Sequence, residues 1–133
     1  MKILASTILL FSIIALSSCT KTVQGPTQSF VVTGSISSNQ WQRTTDNLGY
    51  FVSLNTPDVT PDIVNYGGVT VYLSFDNGAS FESVPEVVGG IAYGSYYGAG
   101  YVNIDLYTAS GSGAVTNPPT GAPVLVKIII TRA

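Results

Sequence analysis

Few residues in this chain are equipped for covalent or acid–base chemistry. The sequence has no histidine and a single cysteine, Cys19, so Ser-His-Asp and Cys-His nucleophilic sites lack their base. The common zinc sets, which draw on His and Cys, lack their ligands too. The carboxylates Asp76, Glu82, Glu86 and Asp105 satisfy, by type alone, the two-carboxylate requirement of glycoside hydrolysis. Oxygen donors at Asp58, Asp62, Asp76 and Asn77 are too few and too dispersed for a calcium loop. The stretch "AYGSYYGAGY", residues 92–101, carries Tyr93, Tyr96, Tyr97 and Tyr101, and Trp41 lies elsewhere. A tyrosine offers a large apolar face and a polar tip. Trp41, Tyr93, Tyr96 and Tyr97 are therefore the candidate residues of a platform on which a sugar or polymer stacks. Each set has a plainer explanation. Glu82 and Asp105 fall on polar strand faces, Asp62 suits a helix cap, and the tyrosines suit the rim of a core, filling gaps beside glycines.

These side chains must be held by strands. Val69, Val71, Leu73 and Phe75 alternate with Thr70, Tyr72 and Ser74. Val102, Ile104 and Leu106 alternate with Tyr101, Asn103, Asp105 and Tyr107, and Tyr50, Val52 and Leu54 with Phe51 and Ser53. That period of two predicts half-buried strands. Further strands are expected at 30–36, 40–45 around Trp41, 81–84 and 124–131, with Lys127 a gatekeeper against edge pairing. Asn77-Gly78 predicts a hairpin turn in which both residues take positive φ. Thr60, Pro61 and Asp62 predict the start of a helix over 61–66, ended by Gly67, with Ile63 and Val64 turned inward. The glycines at 94, 98 and 100 argue against a regular strand through the tyrosine stretch, which reads as a mobile connection exposing at least one of Tyr96 and Tyr97. Residues 109–123 read as a long Gly/Pro loop. Some seven short strands separated by turns predict an all-β chain, an antiparallel β-sandwich in preference to a barrel.

Charge narrows the partners. Beyond residue 19 the cations Lys21, Arg43, Lys127 and Arg132 stand against seven carboxylates, and they do not cluster. A nucleic acid requires several cations on one face, so no nucleic-acid partner is expected. No metal and no cofactor is expected either, and no Gly-rich phosphate loop is present, since the Gly-Tyr stretch leads into a strand.

The N-terminus supplies the most specific motif. Met1-Lys2 is followed by an uncharged apolar run to Leu16. As a helix, that run is shorter than the ~30 Å hydrocarbon core of a bilayer. It reads as a secretory signal, residues 1–18. Leu16-Ser17-Ser18-Cys19 resembles the bacterial lipobox. The resemblance implies cleavage before Cys19 and a diacylglyceryl thioether on its sulfur, with fatty acyl chains of the palmitate kind. Each buried methylene of such an anchor contributes ~0.8 kcal/mol, and two or more chains hold a protein stably on a bilayer. The membrane is thus a partner through Cys19, residues 19–29 form a polar tether around Gly25-Pro26, and residues 30–133 form the folded domain. In lipoprotein sorting an Asp directly after the cysteine retains a protein at the inner membrane. Here Thr20 follows, and "TKTVQG" lacks the acidic cluster of surface-exported lipoproteins. The expected location is the outer membrane, facing the periplasm.

Trp41, "LNTPDVTPDIVNYGGVTVYLSFDNG", "FESVP" and the terminal "VLVKIII" resemble a group of small lipoproteins of Bacteroidetes type. Pro57, Val59, Thr60, Ile63, Gly68, Val69, Val71 and Tyr72 carry the likeness, which spans most of residues 41–131. It implies a β-sandwich and no particular reaction. The expected function is a lipid-anchored, non-enzymatic cell-envelope protein with a structural or interaction role, toward an envelope protein or glycan. The alternatives are a carbohydrate-binding module using exposed aromatics and, further off, a small carboxylate-dependent hydrolase.

Overall fold

Alternating apolar residues bury one face of a strand, and two such faces close a core. In a computed structural model, which describes residues 28–133, this produces two antiparallel sheets. One has four strands, β1 (Ser29–Ile36), β9 (Val124–Thr131), β4 (Gly68–Ser74) and β5 (Glu82–Ser83), in that order. The other has five, β2 (Gln42–Arg43), β3 (Tyr50–Asn55), β8 (Tyr101–Thr108), β7 (Ile91–Gly98) and β6 (Glu86–Val88). The chain is an all-β sandwich. Val71, Leu73, Val126, Ile128 and Ile130 face Val52, Val102, Ile104 and Leu106 across the core, and all nine are buried. Cys19, the signal segment and nearly all of the tether lie outside the described residues. Ser29, read as tether, opens β1 opposite Thr131.

The short helix α1 (Pro61–Tyr66) forms as its sequence dictates. Thr60 caps it by accepting from the Ile63 N–H at 3.4 Å, and Pro61 occupies the first turn. Gly67 ends it by donating its N–H to the Ile63 carbonyl at 2.9 Å. A side chain at Gly67 would strike the Thr131 carbonyl, so close packing rather than backbone freedom requires glycine there. Of the two residues expected to turn inward, Ile63 is buried and Val64 is exposed.

The turn after β4 also has its expected backbone, with φ of 59° at Asn77 and 89° at Gly78. Its setting is wider than a two-residue hairpin, because the first paired residues are Leu73 and Glu82. Asp76 organises this loop. Its Oδ1 accepts from Ser74 Oγ at 2.8 Å and from the Ser80 N–H at 2.9 Å, and Ser74 Oγ accepts from the Gly78 N–H at 2.8 Å. The Ser80 hydroxyl and N–H, then the Ser74 hydroxyl, hold the Asp76 carboxyl down to about 2.

Three further expectations are corrected. The strand around Trp41 shrinks to β2, because Ser38–Gln40 forms a 3-10 turn and Trp41 drops into the core. Lys127 does not guard an edge: β9 lies between β1 and β4, and the Lys127 ammonium sits 4.1 Å from the centre of the Phe81 ring. The tyrosine stretch is no mobile connection. It is β7, eight residues long and paired throughout with β8.

Candidate functional site

Side chains on β8 alternate, so burial of Val102, Ile104 and Leu106 sends Tyr101, Asn103, Asp105 and Tyr107 to the outer face. Register then fixes their neighbours. Across β8 from β3 to β7 run the rungs Asn55–Tyr101–Gly98, Ser53–Asn103–Tyr96 and Phe51–Asp105–Gly94. The outer face of the five-stranded sheet therefore gathers Phe51, Tyr96, Tyr101 and Tyr107 around an amide and a carboxylate. Within it, Thr44, Thr45, Phe51, Tyr96, Asp105 and Tyr107 line an open hollow of about 280 Å³.

Two glycines keep this face low. A Cβ on Gly94 would lie 2.7 Å from Asp105 Oδ1, and one on Gly98 would lie 2.6 Å from the Tyr101 hydroxyl oxygen. Cross-strand neighbours sit close enough for a ring to cover a facing glycine, and here Tyr101 lies over Gly98. Tyr96 and Tyr101 meet edge to face, with ring centres 6.5 Å apart. Asn103 is 8% exposed; its Nδ2 donates to the Tyr96 hydroxyl, while its Oδ1 is buried with no hydrogen-bond partner. Partial burial raises the Asp105 carboxyl above its usual range, and the Gly94 N–H offsets that in part.

The tyrosines and tryptophan expected to form one platform are divided. Trp41 is 6% exposed and Tyr93 7%, both core residues, with Tyr93 packed on Phe75 at 5.0 Å between ring centres. Tyr97 is partly buried against the core. Tyr96, 52% exposed, is the one candidate on the outer face. Tyr101 and Asp105 join it, together with Phe51, Asn103 and Tyr107, which sequence reasoning left out of the site. The alternation of residues 101–107 already placed four of these on one side. What it lacked was a regular β7 to set Tyr96 beside them.

The remaining carboxylates lie elsewhere. Glu82 ends the returning arm of the Asp76 loop on β5, and Glu86 opens β6 in the other sheet. Burial, then a side-chain hydrogen bond to Glu82 and the Glu82 charge, push the Glu86 carboxyl up to about 7. Asp58 and Asp62 line two different hollows beside Arg132, of 520 and 460 Å³. Among the described residues no three acidic, His or Cys side chains converge as a metal centre, and no helix is long and apolar enough to cross a membrane. In comparisons with known proteins, no family model, no curated protein and no solved structure matches this chain.

Proposed function

We propose that this chain is a lipid-anchored, non-enzymatic protein of the cell envelope, held through Cys19 on the periplasmic face of the outer membrane, and that the outer face of its five-stranded sheet is its contact surface. The observation that carries the reading of the contact surface is the exposure of Tyr96 and Tyr101, which meet edge to face on that side of the sheet. Large apolar rings exposed together on a sheet face cost hydration unless a partner covers them.

Two measurements test this reading together. Labelled palmitate should enter the parent chain and not the Cys19→Ala variant. The parent should also sediment with delipidated envelope fragments, and a Tyr96→Ser/Tyr101→Ser variant should remain in solution with an unchanged far-ultraviolet spectrum. Equal labelling of Cys19→Ala removes the anchor, and equal sedimentation of the double variant removes the contact surface.

A further inference from the structure

We infer that the outer face of the five-stranded sheet binds an uncharged polysaccharide chain, with Phe51, Tyr101 and Tyr107 stacking on sugar rings and Asn103 and Asp105 taking sugar hydroxyls. The inference rests on the reading of this face as the contact surface and names what occupies it.

The rings are arranged as a sugar chain requires. Pyranose rings present C–H groups on one side, which suit the electron-rich face of an aromatic side chain, and hydroxyls around the edge. Tyr101 and Tyr107 stand six residues apart on one strand, a separation of roughly 20 Å. Phe51 lies on the rung between them, on β3. That length suits a run of several sugars rather than one. The rings are also interrupted by Ser53, Asn103 and Asp105, whereas the centre of a protein–protein contact is depleted of charge and closely packed.

Hydrogen bonding points the same way. Asn103 Oδ1 is buried without a donor, and such a group costs roughly what a lost hydrogen bond would. The Tyr96 hydroxyl engages the other end of the same amide. Tyr96 stands directly across the ladder from Asn103 and is half exposed. Rotation of an exposed side chain takes ps–ns and opens the amide to a sugar hydroxyl, which donates to Oδ1. Asp105, beside it on the next rung and lining the hollow, accepts from a neighbouring hydroxyl.

Charge selects the class of glycan. Each cation among the described residues lies over a ring outside this set of stacking residues: Arg43 over Tyr50, Lys127 over Phe81 and Arg132 over Phe30. The outer face thus offers a carboxylate and no counter-charge for a uronate or a sulfate. An anionic polysaccharide would meet Asp105 as a like charge.

The test is affinity electrophoresis of the detergent-solubilised full chain through gels containing mannan, xyloglucan or laminarin, with alginate and polygalacturonate as anionic counterparts. At least one uncharged polymer should retard the parent, equally at low and high salt. Tyr101→Ala should weaken that retardation roughly tenfold with an unchanged melting temperature, and Asn103→Ser should weaken it as well. No retardation by any uncharged polymer, while Tyr96- and Tyr101-dependent sedimentation with envelope persists, overturns the glycan and leaves the contact surface standing. Retardation by the anionic polymers alone, fading with salt, overturns it equally. Loss of both sedimentation and retardation removes the contact surface itself.

Discussion

On the outer face of the four-stranded sheet, the chain covers part of itself around Leu125 and Lys127, while Val31 on β1 stays exposed. Phe81 lies against the Lys127 ammonium, and the Asp76 loop folds back until a Cβ on Gly78 would stand 3.3 Å from the Leu125 side chain. On the outer face of the five-stranded sheet, Tyr96 and Tyr101 stand exposed over a polar floor, and glycines on β7 keep the ladder low around them. Both faces belong to the same sandwich and share one core. The loop after β4 covers part of one of them with material from its own sequence. The two-residue connection from β7 to β8 has none to spare. Covering a sheet face with its own loop adds stability, and leaving one uncovered keeps a surface available for a partner.

If the two sheets differ only outside, their inner faces should respond alike. Leu106→Ala on β8 and Ile130→Ala on β9 each empty a fully buried position, and each should cost about 2–5 kcal/mol in urea unfolding. A loss well below that range for one of them would mean the sheets do not share the core equally. The loop that covers part of the first face is the next most sensitive point. Gly78 has a φ of 89°, a conformation that a β-branched residue strongly disfavours. Gly78→Val should therefore destabilise by ~1 kcal/mol or more, and an unchanged midpoint would contradict the turn.

Truncating one ring on each outer face separates closure from presentation. Phe81→Ala removes the cover from Lys127 and should cost ~1 kcal/mol, from lost packing and the cation–π contact. Tyr101→Ala should stay within ~0.5 kcal/mol of the parent while its binding falls. Equal destabilisation by the two would make Tyr101 a structural cover like Phe81, and the contrast between the faces would disappear.

The strands at 50–55, 68–74, 101–108 and 124–131 were legible because each buries one face only, so that period two is written directly in their residues. The helix cap at Thr60 was legible for a similarly local reason. The tyrosine stretch was not. Gly94 and Gly98 weaken strand propensity when taken alone, but in the sheet each glycine makes room for a side chain of β8, Asp105 and Tyr101 respectively. Local propensity gives way there to cross-strand packing. The same blindness hid the contact surface. Which rings share a face depends on register between β3, β8 and β7, a long-range property. Trp41 and Tyr93 were drawn into the candidate platform by residue type, and the structure spends both in the core. Lys127 misled for a related reason, since a charge on the outward face of a strand suggests an edge, whereas β9 is inserted between two neighbours.

The smallest expected effect lies where the two sheets are joined. Glu82 is the last acid of the four-stranded sheet and Glu86 the first of the five-stranded one, and Glu86 Oε1 is buried without a hydrogen-bond partner. The folded-state pKa of Glu86, about 7, lies above its usual 4.5, because of burial first and Glu82 second. Between those values the folded chain holds more protons than the unfolded one, so stability falls as pH rises through the window. Asp76 has the opposite sign. Its carboxyl is lowered from 3.8 to about 2, so its contribution is present above 3.8 and lost as pH falls toward 2. The melting temperature should therefore peak between the two windows and drift down toward neutral pH. Glu86 is partly exposed, and solvent screening makes that drift shallow. Glu86→Gln keeps the shape and removes the titration, and should flatten the curve between pH 4.5 and 7 without touching the acid limb set by Asp76. Glu82→Gln should move the drift to higher stability near neutral pH by removing the neighbouring charge, while burial of Glu86 remains. A parent curve already flat from pH 5 to 8 would show that burial and the neighbouring Glu82 do not raise the Glu86 carboxyl.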